Sequence, residues 1–181
     1  MNSARRRSRI DLLLKPVVGF LLFCTMWGFE LWGREARAEG TAAPEYAVKA
    51  AFVAKFPQFV KWPSGAGSIT VGVLGDDPFG GALDGLVKVR RSKRVEDLKG
   101  CQIIFIARSE QGNIGEILSS LAGSNVLTVG ESEGFAKQGG VIGFTREGDK
   151  VRFEINTGAA RRGGLTIDSR LLQLAARVFN S

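Results

Sequence analysis

CQIIFIA, residues 101–107, is the stretch that decides the fold. It is apolar at every position but Gln102, rich in isoleucine, and bounded by Lys99-Gly100 on one side and Arg108 on the other. A run without polar alternation reads as a strand covered on both faces, as in the parallel sheets of α/β proteins. Two more runs of this kind lie on either side of it: ITVGVL at 69–74 and VLTV at 126–129. Helical segments are expected between them. One covers 78–86, with Asp76 or Asp77 as its cap and Pro78 in its first turn. Another covers 112–121, with Ile114, Ile117, Leu118 and Leu121 as its apolar face. This alternation predicts an α/β fold, a single-domain sandwich with a mixed, mostly parallel central sheet flanked by helices.

The rest of the chain fits around that centre. Residues 87–94 (VKVRRSKR) read as an exposed edge strand. Lys88, Arg90, Arg91, Lys93, Arg94 and Lys99 supply charges that discourage edge-to-edge pairing. A short turn or helix is expected at 95–99 and a short helix at 133–137. Segments 141–145 and 151–155 form a hairpin around Glu147-Gly148-Asp149, a composition suited to a turn. A helix from residue 156 to 162 stops at Gly163-Gly164. A last helix, capped by Asp168 or Ser169, carries Ile167, Leu171, Leu174, Ala175 and Val178 as its stripe.

Toward the N-terminus, residues 52–63 read FVAKFPQFVKWP. A helix starting near Glu45, with Pro44 in its first turn, places Val48, Phe52, Val53, Phe56, Phe59 and Val60 close to one face. Pro57 lacks a backbone donor and should kink or break it. Burying three phenylalanines contributes roughly 2 kcal/mol each, against a net stability of about 5–15 kcal/mol for a domain. Phe52, Phe56 and Phe59 therefore belong mainly to the core, and Trp62 and the kink form the expected exposed remainder.

Residues 1–38 read as an export signal cut after Ala38. Arg5, Arg6, Arg7 and Arg9 precede an apolar run, and Ala36-Arg37-Ala38 offers a cleavage pattern. Residues 39–44 follow as a loose N-terminus and 45–181 as the domain. The first 38 residues hold seven of the 25 Lys/Arg and three of the 18 Asp/Glu, which leaves a net of only +3 beyond them. The basic balance is then largely the signal's, and no nucleic-acid partner is implied. Only Cys101 remains after residue 38, so it has no internal disulfide partner. The chain has no histidine, which excludes Ser-His-Asp and Cys-His catalysis and imidazole metal sites. The loop Gly75-Asp76-Asp77-Pro78-Phe79-Gly80-Gly81 lacks the lysine of a phosphate loop. No metal, cofactor or catalytic residue is expected.

Several segments then fall into a known order: Lys49-Ala50-Ala51-Phe52 closing on Phe59-Val60-Lys61-Trp62-Pro63, then 69–79, 101–106, 126–131, 139–144, 153–156 and 165–175. This order resembles the YfiR family of small exported bacterial proteins, over about residues 45–179. The resemblance implies a periplasmic α/β domain that is not an enzyme. It implies one that binds the periplasmic part of a membrane-bound diguanylate cyclase and holds it inactive, limiting cyclic-di-GMP signalling and biofilm formation. Relatives form dimers and carry redox-sensitive disulfides. Cys101 matches one family cysteine but lacks a partner here. The expected partners are that cyclase or a similar inner-membrane signalling protein, a second copy of the chain, and a small ligand. The alternative function is a periplasmic sensor of a small acidic or aromatic metabolite, bound near Arg161, Arg162 and Trp62. The candidate contact residues are Trp62, Pro63, Phe79, Arg161, Arg162 and Arg170.

Overall fold

The structure, a computed structural model, describes residues 36–181 apart from residue 66. The export segment, except for its last three residues, and its run of arginines lie outside the described residues. Ala43–Ser181 form one compact unit that contains the whole sheet and both hydrophobic clusters.

Helix α1, Ala36–Lys55, opens the described chain with Pro44 inside it. It takes in residues 39–44, expected to be loose, and Pro44 is not in its first turn. The alanines of this segment have the highest helix propensity of any residue. Pro57 breaks the helix as expected: the chain tightens into a 3-10 turn, Phe56–Phe59, and then extends as strand β1, Val60–Lys61.

The remaining strands are β2 (Thr70–Leu74), β3 (Lys88–Ser92), β4 (Ile103–Ile106), β5 (Leu127–Gly130), β6 (Ile142–Glu147), β7 (Lys150–Asn156), β8 (Thr166–Ile167) and β9 (Arg177–Phe179). Seven of these form one sheet, ordered β3-β2-β4-β5-β6-β7-β9. All neighbours from β3 through β6 run parallel, β7 returns antiparallel to β6, and β9 runs parallel to β7. The sheet is mixed and mostly parallel, with helices covering it, as the sequence predicts. β1 and β8 form a separate antiparallel ribbon.

β4 shows why CQIIFIA was decisive. Alternate residues of a strand face opposite sides. Ile103 and Phe105 join Val71, Val73, Leu127 and Val129 in a cluster with Ala50 and Val53 of α1 and Phe56 of the 3-10 turn. Ile104 and Ile106 join Leu74, Leu98 and Phe135 in a second cluster with Ile114 and Ile117 of helix α2, Ile114–Ser120. Both faces are therefore buried. The expected core aromatics divide accordingly: Phe56 is fully buried, and Phe52 and Phe59 are half-buried against the same cluster.

Three expected helices differ. Residues 78–86 form successive turns, closed by Ala82 N–H to Phe79 O and Leu86 N–H to Leu83 O. Gly80, Gly81 and Gly85 deprive the segment of helix propensity, and Gly80 takes φ 55°. Residues 133–137 are also turns, because Phe135 is driven inward between Gly130 and Gly140. The last helix, after helix α3 (Thr157–Arg162), is only α4, Ser169–Leu174. Ala175 is extended, and β9 then joins the sheet, leaving Leu174 and Val178 exposed rather than on a buried stripe.

Candidate functional site

A cleft of about 420 Å³ opens at the N-terminal edge of the parallel strands. Its lining includes Cys101 and Gln102, just before β4, and Val126, just before β5. One wall is the 3-10 turn Val95–Leu98, and another is the end of α2 with Leu121. The third is the segment Trp62–Gly65 leaving β1.

That segment is fixed by the ribbon. Val60 pairs with Ile167 and Lys61 with Thr166. Asp168 N–H donates to Phe59 O at 2.8 Å, and Gly65 N–H to Trp62 O at 3.1 Å closes the turn. Trp62 is consequently buried, with 9% of its surface exposed, and belongs to the α1-side cluster. The expectation that it forms an exposed remainder is corrected: the ribbon folds it inward. Its Nε1 is buried without an acceptor among the described residues.

The floor is held by Gln102. Its side chain accepts from Thr70 N–H and donates to Gly100 O, both at 2.9 Å. Cys101 is a buried free thiol. Burial pushes its pKa up, against the pull of Arg90, so it is disfavoured as a thiolate nucleophile.

The six candidate contact residues do not converge. Trp62 and Pro63 share the cleft, Pro63 at its exposed rim. Phe79 is a core residue, edge-on to Phe105 at 4.6 Å and to Tyr46 at 5.8 Å, because the turns of 78–86 tuck it under α1. Arg161 and Arg162 are exposed, but neither lines the cleft. Arg161 donates to Asn180 Oδ1, and Arg162 to Ser181 O at 2.7 Å. The cleft beside Trp62 does not extend to these arginines. Arg170 is exposed, paired twice with Asp168 at 3.0 Å and placed over the Phe59 ring at 5.5 Å.

Three of the six basic residues of the edge segment are matched by acids. Arg91 pairs with Asp77 and Asp84, Lys93 with Asp76, and Arg94 with Glu96. Asp77 caps a turn rather than a helix, accepting from Phe79 N–H at 2.8 Å.

A polar cluster went unread in the sequence. Lys49 and Glu131 are both buried and pair at 2.7 Å. Tyr46 donates to Glu131 Oε2 at 3.0 Å, Arg108 N–H to Oε1 at 3.3 Å, and Lys49 also meets Glu45 at 2.7 Å. Its signal was there: Lys49 stands three and seven residues before Phe52 and Phe56, on the buried face of the helix.

The fold and cleft together define a small α/β domain with a ligand-sized cleft beside its parallel strands. The chain belongs to the YfiR/HmsC-like family, whose sequence profile it matches over residues 46–176. Membership supports a regulatory role in signalling and a periplasmic setting. No helix among the described residues is long and apolar enough to cross a membrane.

Two solved structures share the fold. An ABC domain from Streptococcus pneumonia, solved in complex with L-Trp, superposes with a TM-score of 0.51 at 12% identity, covering 62% of this chain and 55% of that one. A conserved domain protein from Vibrio cholerae O1 biovar El Tor superposes with a TM-score of 0.52 at 12% identity, covering 74% of this chain and 60% of that one. The chain thus spans under two thirds of either, and the likeness is one of fold alone.

Proposed function

We propose that this domain is a periplasmic, non-enzymatic regulator. It represses a membrane-bound diguanylate cyclase by binding the cyclase's periplasmic part, and so limits cyclic-di-GMP signalling and biofilm formation. The family match across 46–176 carries this reading. The exposure of Leu174 (55%) and Val178 (47%) near the exposed Arg170 and Arg177 supports a contact surface on the C-terminal segment. Exposed apolar side chains rimmed by charge are common at protein contacts.

The test is a pull-down from inner membranes, paired with cyclic-di-GMP measurement in a deletion strain. Recovery of a cyclase, together with raised cyclic-di-GMP on deletion, supports the reading. Recovery of no membrane signalling protein, with cyclic-di-GMP unchanged, overturns it. Leu174→Asp should weaken capture with thermal stability unchanged, because its side chain is mostly in solvent.

A further inference from the structure

We infer that the cleft between Trp62 and Cys101 binds a small carboxylate with an apolar body. The volume, about 420 Å³, lies within the range of small-molecule sites, roughly 300–1,000 Å³. The deep walls are apolar: Trp62, Leu98, Cys101, Ile104, Leu121 and Val126. No aspartate or glutamate lines it, and the one charged lining residue is Lys99. Lys99 is exposed and makes no salt bridge among the described residues, unlike Arg91 of β3 and Lys93 and Arg94 just after it. An apolar interior with one unmatched cation at its mouth selects an anion with a hydrocarbon body. It does not select a sugar, which needs many polar partners, or a cation.

Trp62 stands in the cleft wall, nine-tenths buried, and its indole therefore reports on what enters the cleft. The inference does not rest on the cyclase reading, since a cleft ligand requires no protein partner.

The chain has three tryptophans, Trp27, Trp32 and Trp62, so a protein beginning at Glu39 keeps only Trp62 as its fluorophore. That protein contains the complete compact unit. Octanoate, titrated below its micelle concentration, should change Trp62 fluorescence saturably, and the uncharged octanol should bind more weakly. Lys99→Ala should weaken octanoate about fivefold, the scale of one exposed ion pair, and leave octanol unchanged. Ser120→Phe, which places a ring in the cleft from an exposed position, should abolish both responses with the circular dichroism spectrum retained. Three results would each overturn the inference: no saturable octanoate response; the same response in Ser120→Phe; or octanol binding as tightly as octanoate with Lys99→Ala neutral.

Discussion

Lys49 Nζ lies 2.7 Å from Glu131 Oε2, and the two side chains are 4% and 2% exposed. Their contact ties α1 to the end of β5, two elements far apart in sequence. Removing one partner of a buried pair strands the other as a desolvated charge, which costs about 3–5 kcal/mol. Lys49→Met should lower unfolding stability in urea by that amount. The double variant Lys49→Met/Glu131→Gln should lose less than the two single losses added, because the Glu131 charge is no longer left stranded. Additive losses would show that the two residues act independently.

Tyr46 is the chain's only tyrosine, so its phenolate absorbance can be followed without ambiguity. Burial first, then the Glu131 carboxylate, push its pKa up to about 12. An ordinary tyrosine titrates near about 10. With the folded value raised, the contribution to stability is complete below about pH 10 and is lost as pH rises through about 12. Glu131→Gln should move the absorbance midpoint down, and an unmoved midpoint would leave burial as the sole cause.

Phe56 is enclosed by Phe52, Phe144 and Phe153, with ring centroids 5.5 to 6.1 Å away. Phe56→Ala should cost about 3–5 kcal/mol. Trp62→Ala should also destabilise, since Trp62 is buried too. Trp62→Phe separates packing from polarity: it keeps a ring and removes an unpaired donor, whose burial costs about 1–3 kcal/mol. The phenylalanine variant should be close to neutral in thermal unfolding. A loss as large as that of the alanine variant would mean that the indole donor has a partner.

Phe135 is wedged where side chains on its neighbours would collide with it. A Cβ on Gly140 would come within 2.1 Å of its ring, and one on Gly130 within 2.5 Å. Gly140→Ala should therefore cost about 1–3 kcal/mol through overpacking. In the background of Phe135→Ala it should cost much less. Equal costs in the two backgrounds would assign the effect to the backbone instead.

The central strands were legible because burial on two faces leaves an unbroken apolar run, as in 103–106. The break at Pro57 was legible because a missing donor acts locally. The short helices were not. At 78–86 the periodic residues Phe79 and Leu83 are indeed buried, but three glycines remove the propensity that would make them a helix. At the C-terminus, Leu174 and Val178 keep a helical interval, yet sheet pairing of Ile155 with Val178 took the segment instead. The cleft was half legible. Trp62 and Pro63 were singled out, but Trp62 was assigned to solvent because its inward turn depends on pairing with Thr166–Ile167, a partner that no local pattern announces.

That ribbon also orders events in time. Val60 waits for Ile167, and Phe52 and Phe56 wait for Phe144 and Phe153. Whether the chain emerges from a ribosome or a translocation channel, its aromatic first helix stays uncovered until nearly all of it has come out. Contacts this distant in sequence slow closure, and the uncovered stretch is the hazard such intermediates carry. Late closure is therefore a property of an architecture that pairs residues 60–61 with 166–167.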